Sequence, residues 1–104
     1  MENFKDEDFD LKIKNEPVVC IQFSASWCAP CRTLRPIMEK LSTEYKDKMK
    51  TFYADIETDS INLGSQMGIR GVPTTIRYKK KIECDRLVGN PGEARVREFI
   101  NKNL

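Results

Sequence analysis

Residues 26 to 32 read Ser-Trp-Cys-Ala-Pro-Cys-Arg. Two thiols three residues apart can do two kinds of chemistry. They can hold a metal, or they can close into a disulfide and open again. A zinc site needs four ligands. The chain has no histidine, and its only other cysteines, Cys20 and Cys84, do not form a second close pair. The missing histidine also excludes Cys-His and Ser-His catalytic pairs. The spacing therefore favours a redox dithiol over half a metal site or a pair of inert core cysteines.

The flanking sequence says how such a pair would be positioned. Val18-Val19-Cys20-Ile21-Gln22-Phe23 is a nearly continuous apolar run after Pro17. That pattern predicts a strand buried on both faces. Leu34, Ile37, Met38, Leu41 and Tyr45 recur every three or four residues and predict a helix over 29–47. Pro36 lies inside it and is expected to kink it. Cys28 then sits at the strand-to-helix junction, where open α/β sheets place their ligand sites. Free N–H groups and the positive end of the helix dipole favour thiolate there, and thiolate is the attacking species. Cys31, one turn further on, shares that helix face and should be less exposed. Cys28 is thus expected to attack a target disulfide, and Cys31 to attack Cys28 and release the reduced target. Pro30 suits a first helical turn and stiffens the loop. Arg32 adds positive charge, and Trp27 offers a flat apolar contact for another protein.

The remaining chain supplies a scaffold. An amphipathic segment over 6–14 (Phe9, Leu11, Ile13) predicts a short helix, preceded by a strand stub near Asn3–Lys5. Thr51–Ile56 predicts a strand, 60–67 a short helix on Ile61, Leu63 and Met67, and Gly68–Pro73 a loop. Thr75–Lys79 and Ile82–Val88, joined by a lysine turn, predict an antiparallel hairpin. A last helix carries Val96, Phe99, Ile100 and Leu104 on one face. This order predicts an α/β fold: one domain over 1–104, a mixed sheet of four to five strands, and four helices on both faces.

The totals fit that reading. At 104 residues the chain can bury a single core. Its 18 basic and 16 acidic residues leave a net charge of +2, too little to imply nucleic-acid or membrane binding. Lys79-Lys80-Lys81 reads as a solvated turn that discourages edge pairing. The acidic start lacks the apolar core of a secretory signal, so a cytoplasmic location is expected. Thiols stay mostly reduced there, which again favours a catalytic pair. Cys20 reads as inert core, and Cys84, on an edge hairpin, as filler rather than a regulatory thiol.

Phe23-Ser24-Ala25-Ser26-Trp27-Cys28-Ala29-Pro30-Cys31-Arg32 closely resembles the active-site segment of the thioredoxin family. Gly68-Ile69-Arg70-Gly71-Val72-Pro73-Thr74 resembles that family's second signature and Val88-Gly89 its third, all in order along the chain. The resemblance implies the thioredoxin fold and reduction of protein disulfides. It implies no bound cofactor: electrons would come from NADPH through a separate thioredoxin reductase. It makes Pro73 a cis-proline facing the disulfide. It places Trp27, Ala29, Pro30, Gly71, Val72, Pro73 and Gly89 along a groove for disulfide-bearing protein substrates.

The chain departs from the pattern at three places. Ala29 replaces a glycine, which should stiffen the loop. Gln22 replaces a buried aspartate that the family uses to deprotonate the resolving cysteine, and its amide should find buried partners. The lysine that commonly accompanies that aspartate is missing, with Tyr53 or Ala54 near its place. Loss of a buried carboxylate should lower the pKa of Cys28 and make the couple more oxidising. Two alternatives therefore stand beside a reductase: a protein-binding module with incidental thiols, and a relative biased toward oxidation or isomerisation.

Overall fold

The computed structural model describes residues 1–13, 16–102 and 104. In chain order the elements are β1 (Glu2–Asn3), α1 (Asp8–Lys12), β2 (Val18–Ser24), α2 (Ala29–Glu44), β3 (Lys50–Asp55), α3 (Ile61–Gln66), β4 (Thr74–Lys79), β5 (Ile82–Val88) and α4 (Glu93–Asn101). The five strands form one sheet in the order β1-β3-β2-β4-β5. β1 and β2 each pair parallel with β3, while β4 runs antiparallel to both β2 and β5. This is the mixed α/β sheet that the sequence predicts.

Side chains alternate across a strand, so the register assigns each row to a face. Val19, Ile21 and Phe23 of β2 share a face with Phe52, Ala54, Ile76 and Tyr78. They form an apolar cluster with Phe4, Ile13 and Leu63, against which Phe9 of α1 and Met67 pack. Cys20, Gln22 and Ser24 share the opposite face with Thr51, Tyr53, Thr75 and Arg77. α2 and α4 cover that face through Leu34, Met38, Leu41, Val96, Phe99 and Ile100.

Several boundaries differ from expectation. α2 ends at Glu44, where Tyr45 turns out of helical geometry and Lys48 and Met49 fold back to its carbonyl. The charged run Lys46-Asp47-Lys48 gives no apolar face to extend, and Met49 re-enters the core. Pro36 lies within α2, which runs continuously from Ala29 to Glu44. α1 covers five residues; Leu11 is exposed, and Lys14 lies outside the described residues. The strand stub falls at Glu2–Asn3, because Phe4 turns its ring into the core. Of Ile61, Leu63 and Met67, Ile61 is exposed, Met67 half-buried and Leu63 buried. The N–H groups of Asn62 and Leu63 are capped by the distant Asp6 carboxylate, at 3.2 and 2.7 Å. α4 stops at Asn101, so Leu104 is not on its face and is exposed.

Candidate active site

β2 ends at Ser24, and a tight turn carries the chain to α2, with Cys28 N–H donating to Ala25 O at 3.2 Å. Cys28 is the residue that caps α2. Its backbone is extended (φ −85°, ψ 113°), and its Sγ accepts the N–H of Cys31 at 3.2 Å. That bond satisfies one of the free N–H groups of a helix start. Ala29 and Pro30 form the first turn, where proline loses no helical hydrogen bond. Cys28 and Cys31 are joined by a disulfide, their Cα atoms 5.2 Å apart. Cys28 keeps 3% exposure and Cys31 none, so of the two residues only Cys28 touches solvent.

The loop before β4 closes over this sulfur. The Val72–Pro73 peptide is cis, and Val72 O lies 3.5 Å from Cys28 Sγ. In the disulfide this is a contact; in the dithiol the same carbonyl can accept a hydrogen bond from Cys28. Val72 also packs on the small cluster of Ala25, Cys28 and Cys31. Gly71 is exposed, Val72 half-buried and Pro73 buried. Gly89 N–H donates to Pro73 O at 2.8 Å. Its φ of 85° is left-handed, which a glycine adopts without strain. Trp27 is 65% exposed, a large apolar surface beside the attacking edge. Arg32, read from the sequence as a charge beside the pair, also fixes the loop: its Nη1 donates to Ser26 O at 3.0 Å.

Beneath the disulfide, Gln22 is fully buried on β2. Its Nε2 donates to Ser24 Oγ at 2.9 Å and to Cys31 O at 3.3 Å. A carbonyl oxygen can only accept, which fixes the amide's orientation. Among the described residues its Oε1 has no partner. The amide thus ties the first turn of α2 to the sheet, at a point where a carboxylate would meet the Cys31 carbonyl with like charge.

Sequence reasoning missed two features. Arg35 lays its guanidinium over the Tyr53 ring, 3.8 Å from the centroid. Asn90 Nδ2 donates to Thr33 Oγ1 at 3.0 Å and links the loop after β5 to α2. Neither follows a local pattern, because each joins elements distant in sequence. Of the other cysteines, Cys20 is buried, and burial pushes its thiol up to about 12, while Cys84 is exposed. Among the described residues no cluster of His, Cys, Asp and Glu could hold a metal.

A capped, reachable sulfur with a buried partner one turn away, on the carboxyl edge of a mixed sheet, defines a dithiol–disulfide exchange protein. The thioredoxin family model matches residues 1–102, and the chain belongs to the thioredoxin family. It is 33% identical over 103 residues to a thioredoxin of Rickettsia bellii, covering 98% of this chain and 97% of that one. It is 31% identical over 103 residues to thioredoxin C-2 of Corynebacterium nephridii, covering 98% and 94%. It is 31% identical over 95 residues to a chloroplastic M-type thioredoxin of Chlamydomonas reinhardtii, covering 91% and 67%. The protein is a thiol–disulfide oxidoreductase of the protein-disulfide reductase type.

Proposed function

We propose that Cys28 attacks the substrate disulfide and Cys31 resolves the resulting mixed disulfide. The observation that carries this reading is the N-cap geometry: Cys28 Sγ accepts the Cys31 N–H, and of the two residues only Cys28 keeps any exposure. The amide and the helix dipole stabilise negative charge on that sulfur, as attack requires. In the first step the Cys28 thiolate bonds to one substrate sulfur and the other leaves as thiolate. In the second, Cys31 loses its proton to solvent and attacks the Cys28 sulfur. The substrate sulfur bonded to Cys28 then leaves as thiolate, and the Cys28–Cys31 disulfide holds the two-electron oxidation.

Trp27, Ala29 and Pro30 on one side, and Gly71, Val72, Pro73 and Gly89 on the other, form the docking groove for an extended substrate strand. Gly71 and Trp27 are exposed, leaving backbone and apolar surface beside the sulfur. The protein acts in the cytoplasm as an electron carrier with no bound prosthetic group. It is re-reduced by a thioredoxin reductase drawing on NADPH. The test is insulin disulfide reduction, first with dithiothreitol and then with the reductase and NADPH. Turnover in both is expected; turnover with dithiothreitol alone would reject the proposed electron source.

Gln22 and Arg32 tune the couple. With an amide beneath Cys31, no buried carboxylate opposes the thiolate, so the reduced form gains stability. The potential is expected above the roughly −270 mV of thioredoxin. Gln22→Asp should raise the Cys28 pKa and make the couple more reducing; a higher pKa in the parent would reject this. A pure binding module would keep its function in the Cys28→Ser, Cys31→Ser double variant, whereas the redox reading predicts complete loss.

A further inference from the structure

The reaction leaves one step without a visible helper. Cys31 is fully buried and must lose a proton before it can attack Cys28. The sheet face beneath it presents Cys20, Gln22, Ser24, Tyr53, Asp55, Thr75 and Arg77. Gln22, Ser24 and Thr75 do not titrate in the working range. Cys20 is itself held neutral by burial, and Asp55 turns its Oδ1 outward to the N–H of Glu57 at 2.9 Å. Arg77 stands opposite Cys20, one row further from Cys31 than Gln22. Gly71, Val72 and Pro73, which close over the pair, carry no charge. From α2 the charged neighbours are Arg32, bound to Ser26 O on the outer side, and Arg35.

Arg35 lies four residues after Cys31, and side chains at that spacing are neighbours on one helix face. Arg35 is half-buried, and its guanidinium is stacked on Tyr53 at 3.8 Å. Tyr53 stands directly opposite Gln22 in the β2–β3 register. Gln22 in turn donates to the carbonyl of Cys31. Arg35, Tyr53, Gln22 and Cys31 therefore lie at one junction of α2 with the sheet. A partly desolvated cation in such a place acts on its neighbours more strongly than one in water.

We propose that Arg35, held against Tyr53, is a positioning residue for the second half of the reaction, its fixed charge favouring the Cys31 thiolate as that thiolate forms. Arg35 takes no proton; the Cys31 proton leaves to solvent, and the thiolate attacks Cys28 as described above. The inference rests on the assignment of Cys31 as the resolving cysteine. A plain structural reading also exists, because an Arg–aromatic stack pins a helix to a sheet whatever its charge does. Charge and shape must therefore be separated by experiment.

The test uses the full-length reduced chain in a Cys84→Ser background, since Cys84 is exposed and would react with the reagent. Stopped-flow mixing with 5,5′-dithiobis(2-nitrobenzoate) releases one nitrothiobenzoate when Cys28 is attached to the reagent and a second when Cys31 resolves. Arg35→Gln should leave the first release unchanged and slow the second about 10-fold near neutrality, equivalent to one pKa unit. The deficit should close as pH rises through the alkaline range, and Arg35→Lys should recover most of the rate. A second release within twofold of the parent at every pH overturns the proposal. So does equal slowing of both releases, or a failure of Arg35→Lys to recover. Cys31→Ser in the same background tests the underlying assignment separately: it should stop after one release, and two would reject the roles of the cysteines themselves.

Discussion

The two faces of the sheet are built from different materials. Toward α1 and α3, β2 presents Val19, Ile21 and Phe23, and its neighbours add Phe52, Ala54, Ile76 and Tyr78. Toward α2 and α4 the same strands present Cys20, Gln22, Ser24, Thr51, Tyr53, Thr75 and Arg77, and most are fully buried. The first face stabilises by removing apolar area from water. The second carries the disulfide helix, and a buried polar row is stabilising only when its groups are bonded. One face thus holds the molecule together, and the other sets the environment of its sulfurs.

The largest expected effect lies on the apolar face. Ile21→Ala should cost about 3 kcal/mol in denaturant unfolding. Its reduction potential should match the parent's, since Ile21 faces away from α2. A clear change in potential would blur the distinction between the faces.

Cys20 tests the polar face through pH. Its thiol is pushed up to about 12 by burial. A folded pKa above the unfolded value of about 8.5 means that the stabilisation is complete below about pH 8.5. It is lost as pH rises toward the folded value. Replacing Cys20 with alanine should remove up to about 1.4 kcal/mol per pH unit of alkaline slope. Native alkylation of the oxidised protein should label Cys84 alone. Labelling of Cys20 would contradict its burial.

Gln22→Leu should change stability by less than about 1 kcal/mol, because two lost amide bonds offset removal of an unpartnered oxygen. Its effect belongs in the thiol titration. A loss as large as that of Ile21→Ala would mean that the polar face is the structural one.

The smallest effect lies on the surface, where Arg97 ties α4 to α2 through Glu44 and also bonds Glu93 one turn back on its own helix. Arg97 holds the Glu44 carboxyl below its ordinary value, and Lys40 and then Arg97 do the same for Glu93. Depressed carboxylates stabilise above the unfolded pKa of about 4.3, and that contribution is lost as pH falls through the folded values. Arg97→Ala should slightly flatten the acid limb of a stability–pH curve and leave neutral activity intact. An unchanged acid limb would remove the pair from the account.

The helix start, the Cys28–Pro30–Cys31 turn and the order of elements along the chain were legible because they rest on local periodicity and on residue types with few uses. The division between faces was not. Val18–Phe23 reads as one apolar run, which hides that Cys20 and Gln22 look one way while Ile21 and Phe23 look the other. Alternation in Thr75–Lys79 reveals a strand, but not that α2 and α4 cover its polar row and bury Arg77. The Arg35–Tyr53 stack depends on the register of β3 under α2, which no local pattern encodes. The lysine turn was legible as a turn. The positive φ of Lys80 (52°) and Lys81 (70°), where glycine or asparagine is usual, was not.

The central claim is that Cys28 bonds to the substrate and Cys31 releases it. Reduced protein carrying Cys31→Ser and Cys84→Ser, mixed with insulin, should accumulate a one-to-one covalent adduct. Mass spectrometry without reductant should place the bond on the peptide containing Cys28. Absence of that adduct, with insulin disulfides still accessible to dithiothreitol, would contradict the account.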